Sequence, residues 1–466
     1  MVYVIHALVW PLIACLVWWW NEIWYATAVK ARCKLLNAKL PPGHLGFPIF
    51  GEYFTFLWYG KNVGAYKTYL YGSPGIIACA PSLCKRVLTS STEFAQGWPS
   101  DEVLGPYSVT TIHGSRHQHI KGFLSNEFNP RAALARFVLQ FQPYIVTALH
   151  SWSQMGRINA FYQIKKVTLD YMARYMGGIE VGLEADAFEK LFSGVNEGVR
   201  AQPWNFPGTP YRHALKCRKK LTKRLNLELM KKKKDGVKMG VTSDLMDGLM
   251  QTKDKDGRHL SDEEVVDNVL SNIAISYIGI AYPVVWSMYF LAKNPHVLQK
   301  LREENMEMAK EKNGADVTYE DTLGLKYTNK VVEETIRIAS ISGFIFKKAT
   351  EDIEVEGFCV PSTSYLIPKG WMVLVWLRYL HTDPSNFEDP MTFNPDRWEK
   401  KGTWVGAFQK RYGAMWFIIS ILGGIVWGQK SGILIQSEGG KVKGLHRVKG
   451  NNSGAAEIGI LQRYNY

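Results

Sequence analysis

Glu334-Thr335-Ile336-Arg337 is followed, in this order and before residue 399, by Pro368-Lys369-Gly370-Trp371, His381-Thr382-Asp383-Pro384 and Phe393-Asn394-Pro395-Asp396-Arg397-Trp398. The first segment puts a carboxylate and a guanidinium three residues apart, so on a helix they share a face and can pair. A Glu and an Arg at that spacing carry almost no information alone. The succession of all four segments is specific, and the rest of the chain is read outward from it.

Between the first and last of these segments the texture changes to strands and turns. Ile353-Glu354-Val355-Glu356-Gly357, Tyr365-Leu366-Ile367 and Val373-Leu374-Val375-Trp376 are short β-rich runs bounded by Gly and Pro. Upstream, most of 80–340 alternates polar and apolar residues at helical spacing, after one further β-branched run at Gly75-Ile76-Ile77-Ala78-Cys79. The expectation is a mainly helical body with a small sheet. Residues 2–20 read VYVIHALVWPLIACLVWWW, without Asp, Glu, Lys or Arg, long enough to span a hydrocarbon core as a helix. Trp18, Trp19 and Trp20 suit the interface, and Lys30, Arg32, Lys34 and Lys39 behind them place the body on the cytosolic side. A basic n-region and a small-residue cleavage site are both missing, which favours an uncleaved anchor over a signal peptide. Leu40-Pro41-Pro42-Gly43 through Gly51 then reads as a hinge that no helix can cross.

Composition narrows the rest. At 466 residues and 46% hydrophobic, the chain can bury a large core. A net charge of +14 favours anionic partners. The lysine-rich run 216–238 nevertheless reads as the solvated end of a helix rather than a nucleic-acid surface, because no aromatics interleave the cations. Six cysteines, Cys15, Cys33, Cys79, Cys84, Cys217 and Cys359, contain no C-x-x-C pair, and no histidine cluster at zinc spacing accompanies them.

The series from Glu334 to Trp398 resembles the C-terminal part of a cytochrome P-450. In that family the Glu and Arg of E-x-x-R lock to an Arg in an F-x-P-x-R-[FW] segment, which makes Glu334, Arg337 and Arg397 the structural triad. The resemblance extends to the Pro-rich hinge, to Tyr66-Lys67-Thr68 through Thr89, and to His117-Gln118-His119-Ile120-Lys121. It implies that His117 and Lys121, one helical turn apart, and Lys347 in Phe346-Lys347-Lys348 are the residues meeting haem propionates. Two solvent-facing polar residues on a helix is the alternative reading of His117 and Lys121. Among family members, Cys79 to Thr89, Phe206-Pro207-Gly208-Thr209 and Tyr365 to Trp371 are most similar to plant ent-kaurenoic acid oxidases and β-amyrin 11-oxidases. This similarity implies haem, dioxygen, NADPH-cytochrome P-450 reductase as partner, an apolar terpenoid substrate, and a single-pass anchor in the endoplasmic reticulum membrane. Nucleic acid is not an expected partner.

The sequence also departs from the family. The haem iron of P-450s is held by a cysteine thiolate, expected soon after Arg397 in F-x-x-G-x-R-x-C-x-G. Here Gly402-Thr403 leads into Trp404-Val405-Gly406-Ala407-Phe408-Gln409-Lys410-Arg411-Tyr412-Gly413, and no cysteine follows Cys359. Ile275-Ser276-Tyr277-Ile278-Gly279-Ile280 stands where A-G-x-[DE]-[ST]-[ST] is expected, so Ile278 occupies the acid position and Gly279 the alcohol position. Neither can relay a proton, and Pro283 strains the same helix. An early helix is missing around 56–62, and Phe358 to Ser364 looks inserted. The expected organisation is an anchor at 1–20, a hinge at 21–51, a P-450 domain at 52–403, incomplete at its C-terminus, and an unrelated, partly disordered tail at 404–466. Two functions are then in play: a terpenoid monooxygenase by resemblance, or a catalytically inactive, membrane-anchored remnant of one.

Overall fold

The computed structural model describes residues 9, 16, 19–45, 64–90, 92–98, 100–128, 130–155, 157–236, 243–254, 256–356 and 364–399, with the backbone of 434–438 and 457–461. Cys359, most of the inserted segment, residues 56–62, most of the anchor and the tail apart from those two strands lie outside the described residues. The chain divides into two compact units: 1–113, 197–216 and 342–388 form the first, and 114–196, 217–341 and 389–466 the second.

The first unit is built on a five-stranded sheet. Ala65–Leu70 and Ser73–Ala78 pair antiparallel through a two-residue turn, Tyr71 and Gly72, both at positive φ, the geometry whose twist matches a hairpin. Ser73–Ala78 runs parallel to Met372–Trp376. Phe344–Ala349 joins Met372–Trp376 on its other side and carries Phe94–Gln96 at the edge. Parallel pairing of strands so far apart in sequence is what a hydrophobic core here requires: Tyr66, Leu70, Ile77, Cys79, Met372 and Leu374 form one buried cluster. Ile353–Glu356 and Ser364–Ile367 make a separate two-stranded ribbon. The expected strands around 350–375 are all present, and the run at 75–79 lies in the same sheet as 372–376.

The hinge is fastened to this sheet and to the ribbon. Lys67 N donates to Pro42 O at 2.8 Å, and Leu366 N donates to Lys39 O at 2.8 Å. Gly43 has φ +117°, and a Cβ there would lie 2.5 Å from the Lys67 carbonyl oxygen, so only glycine permits this approach. Glu22 pairs with the Lys67 ammonium and accepts from Leu45 N at 3.2 Å. Arg32 meets Asp352 at 2.7 Å. The segment behind the anchor is thus held by backbone and ionic contacts from both ends of the first unit's sequence.

The second unit is helical. Asp262–Lys293, the long core helix, starts on a capping box in which Ser261 and Glu264 satisfy each other's backbone N–H groups. It packs against Ala160–Gly177 and Lys326–Ala339. It is one of two described helices, with Arg131–Gln154, that are long and apolar enough to cross a membrane by length and composition. With 67% of its apolar window buried, it serves as a core helix of this unit. Pro283 interrupts no more than a hydrogen bond, since the helix continues to Lys293. The lysine-rich run lies largely on Pro210–Asp235, where Lys233 reaches Asp262 at 2.6 Å. In the tail, expected from sequence to be partly disordered, Leu434–Glu438 and Glu457–Leu461 pair parallel, the latter also with Arg157–Asn159.

Candidate functional site

The Lys326–Ala339 helix carries Glu334 and Arg337 into the interior. Its amino end is capped from outside: the Glu304 carboxylate accepts from Tyr327 N at 2.7 Å and from Thr328 N and Oγ1, each at 2.8 Å, satisfying donors that a helix start leaves open. Glu334 is fully buried and Arg337 is 2% exposed. Arg337 grips the carboxylate with two bonds, Nε to Oε2 at 2.9 Å and Nη2 to Oε1 at 2.8 Å. Arg397 Nε adds a third at 3.0 Å, Asn394 N a fourth at 3.0 Å, and Trp398 Nε1 a fifth at 3.1 Å. Further guanidinium donors are used as well, Arg337 Nη1 on Pro390 O at 2.7 Å and Arg397 Nη2 on Thr392 O at 3.2 Å. A buried ion pair contributes only when its remaining lone pairs and protons find partners, and here they do. The three residues expected from sequence are brought together. Trp398, Asn394 and Glu304 complete the arrangement, and only the aromatic position of Trp398 had any signal in the sequence.

The middle of the long core helix is different. Ile278 is 8% exposed, so the position expected to hold an acid is buried hydrocarbon. Gly279 faces open space, with nothing within 4 Å of where a Cβ would stand. The polar groups near this stretch are turned toward the helix's own backbone or away from it. Ser276 Oγ donates to Asn272 O at 2.5 Å, Thr168 Oγ1 to Tyr277 O at 3.3 Å, and Asn196 Nδ2 to Ala274 O at 3.0 Å. The Tyr277 hydroxyl lies by Ser193 and Asn196, and burial holds its pKa far above the ordinary phenol value. Lys165 closes that network by donating to Ser193 Oγ at 2.5 Å and pairing with Glu189. It ties three helices together.

The residues expected to meet propionates fall in both units. His117, half-buried, and Lys121, exposed, lie one turn apart on Gly114–Phe128 of the second unit. Lys347 is half-buried on Phe344–Ala349 of the first, in register with Gln96 and Val373.

The described thiols are poor iron donors. Cys79 and Cys84 are buried beside the sheet of the first unit, and burial pushes the Cys84 thiol up to about 12 and that of Cys79 higher still. Burial raises Cys33 as well, and Cys217 is 4% exposed on Pro210–Asp235. A thiolate ligand needs the opposite environment, electropositive and partly open.

The Glu334 lock, the strand order and the long core helix define a class, and comparison with known proteins identifies it. Residues 53–417 match the family Cytochrome P450, and the chain belongs to that family. Within it, the chain is similar to ent-kaurenoic acid oxidase 2 of Arabidopsis thaliana, at 31% identity over 79% of this chain and 78% of the relative. It is also similar to β-amyrin 11-oxidase of Glycyrrhiza uralensis, at 29% identity over 83% and 81%. The retinoic acid-bound cyanobacterial CYP120A1 shares the fold with a TM-score of 0.71 and 20% identity, over 83% of this chain and 92% of that one. Membership implies a haem iron cofactor and the monooxygenase class of oxidoreductases. Among the described residues the donor set does not fit a thiolate-bound haem: the described cysteines are buried, protonated or both, and the sequence has none beyond Cys359.

Proposed function

We propose that the chain descends from haem-dependent monooxygenases oxidising apolar terpenoids and that, with the sequence it has, it binds such a molecule without oxidising it. The terpenoid reading comes from ent-kaurenoic acid oxidases and β-amyrin 11-oxidase, whose names state what they act on. The loss of catalysis rests on one observation: no cysteine follows Cys359, whereas the family's iron ligand follows the Arg of F-x-P-x-R. Ile278 and Gly279 agree with it, since a hydrocarbon and a hydrogen cannot pass protons to dioxygen.

The remaining roles are proposals of the same standing. By resemblance to the family, His117 and Lys121 in the second unit, and separately Lys347 in the first, are the residues assigned to porphyrin carboxylates. The anchor at 1–20 and the basic segment after it would hold the body on the cytosolic side of the endoplasmic reticulum, where the net charge of +14 suits the acidic face of a reductase as electrostatic steering. The full chain, expressed in microsomes, is expected to give no thiolate-type Soret band in a reduced carbon-monoxide difference spectrum and no NADPH-dependent product. A Soret band at the family's position with turnover would restore the monooxygenase reading in full.

A further inference from the structure

Residues 19–35 are helical without a break: Glu22–Ala26 is a single π-helical turn that runs straight on as the α-helix Thr27–Leu35. The sequence reads 21–51 as a hinge, and its first part is instead a rigid rod. One side of that rod is bound to the first unit. Asn21 Nδ2 donates to Leu45 O at 3.2 Å, Glu22 pairs with Lys67 and accepts from Leu45 N, and the Tyr25 ring lies 5.6 Å from that of Tyr69. Ala26 and Val29 are buried behind them, and Arg32 near the far end meets Asp352. Residues at these offsets share one side of a helix.

The opposite side carries Trp19, Trp20, Ile23 and Trp24, each between 51% and 66% exposed. Trp20 and Trp24 are stacked, their planes 2° apart. Large apolar side chains left open together mark a surface that meets a partner, and the sequence says which. They continue directly from the apolar run 2–20, and Lys30 and Lys34 follow. An indole is an apolar ring with one polar N–H, and with cations behind it it settles at the headgroup level of a bilayer. Beyond Trp24 the exposed residues are Thr27, Ala28, Lys30 and Ala31, small or charged, so the rod leaves the lipid at that point.

We infer that residues 19–35 form a strut between bilayer and body: Trp19, Trp20, Ile23 and Trp24 lie in the lipid headgroup layer, while Asn21, Glu22, Tyr25, Val29 and Arg32 clamp the same helix to the first unit. This rests on the anchor reading above and extends it. An anchor alone holds a body near the membrane, whereas a clamped helix also fixes the tilt of the unit it is clamped to. At 1.5 Å per residue Leu35 stands about 17 Å past Trp24 along the rod, which clears a headgroup layer about 5–8 Å deep.

The test places p-benzoylphenylalanine at Leu16, Trp24 or Leu35, one position at a time, in the full chain in phosphatidylcholine–phosphatidylserine nanodiscs, and identifies the photoproducts by mass spectrometry. Lipid adducts are expected at 16 and 24 and none at 35. An adduct at 16 without one at 24 overturns the inference alone. So does an adduct at 35 as strong as that at 24, which lays the helix flat, or a protein adduct at 24, which gives that face another partner. No lipid adduct at 16 overturns the anchor reading and the inference with it. The clamp is read by limited trypsin digestion of the same particles, as cutting at Lys30, Arg32 and Lys34 relative to Arg258 in the exposed turn 254–258. Cutting at 30–34 is expected to be the slower in the unaltered chain. Glu22→Gln and, from the sheet side, Lys67→Met should each raise that ratio about tenfold, the worth of one hydrogen bond to a charged group. Preferred cutting at 30–34 in the unaltered chain, or a ratio that neither substitution moves, overturns the clamp.

Discussion

Two interior regions of the second unit, the Glu334 lock and the middle of the Asp262–Lys293 helix, are both places where the P450 family keeps polar residues. The chain has treated them oppositely. Around Glu334 every partner is in place, with five hydrogen bonds to one carboxylate. On the long helix the positions expected from the resemblance to hold an acid and an alcohol are Ile278 and Gly279. The difference follows from energetics. Truncating one member of a paired, buried charge network strands the others without water, at a cost comparable to a large share of a domain's stability. Replacing a functional polar residue in an apolar wall with hydrocarbon removes a desolvated group and costs the fold nothing. Folding constrains the first region whatever the protein does, and only chemistry constrains the second.

Glu334→Ala is the severest test of that contrast. It takes the carboxylate from two guanidinium groups, Arg337 and Arg397, and from the Trp398 indole N–H, and is expected to cost about 3–5 kcal/mol, seen as loss of soluble folded protein or a collapse of the thermal midpoint. Pro283→Ala works in the other direction. A proline in a helix interior costs about 3 kcal/mol through its missing N–H and its clash with the preceding turn, so alanine should raise stability by about 1–3 kcal/mol in denaturant titration. A fall would mean that the surroundings have been shaped around the proline ring. Trp398→Phe keeps most of the ring packing and removes one hydrogen bond to a carboxylate. Its expected cost is about 1.5 kcal/mol, and an unchanged midpoint would show that the indole adds nothing to the two arginines.

How legible these regions were in the sequence depends on the distance over which each feature is decided. Glu334 and Arg337 are three apart, so helix geometry alone pairs them. Arg397 is recognised because its segment comes in a fixed order. The Glu304 cap is invisible beforehand, because nothing local to a glutamate on Pro295–Lys312 marks the amino end of a later helix as its target. Gly43 reads as part of a Pro-Gly break, but the reason it must be glycine is the Lys67 backbone packed against it, a contact made only by the sheet. Ile278 and Gly279 are assigned to the acid and alcohol positions by the order of residues before Trp286 and Tyr289-Phe290-Leu291. The space beside Gly279 is not legible in this way, since a helical pattern tells which residues share a side and leaves open what, if anything, covers it.

The smallest expected effect isolates that last point. A glycine in a helix interior is less stable than alanine by about 0.5–1 kcal/mol, through the backbone freedom lost on folding. Gly279 lies inside the helix, its φ is not positive, and the added methyl would enter space with no atom within 4 Å. Gly279→Ala should therefore gain about 0.5–1 kcal/mol, read as a higher urea midpoint at unchanged slope. Gly248, on Leu245–Gln251 of the same unit, is the matched control: there a Cβ would stand 2.8 Å from Cζ of the Phe123 ring, and alanine must displace that ring or destabilise. If both substitutions lower the midpoint, the space beside Gly279 is filled in solution. If only Gly248→Ala does, the long helix is open at Gly279, at a place that folding itself does not need filled.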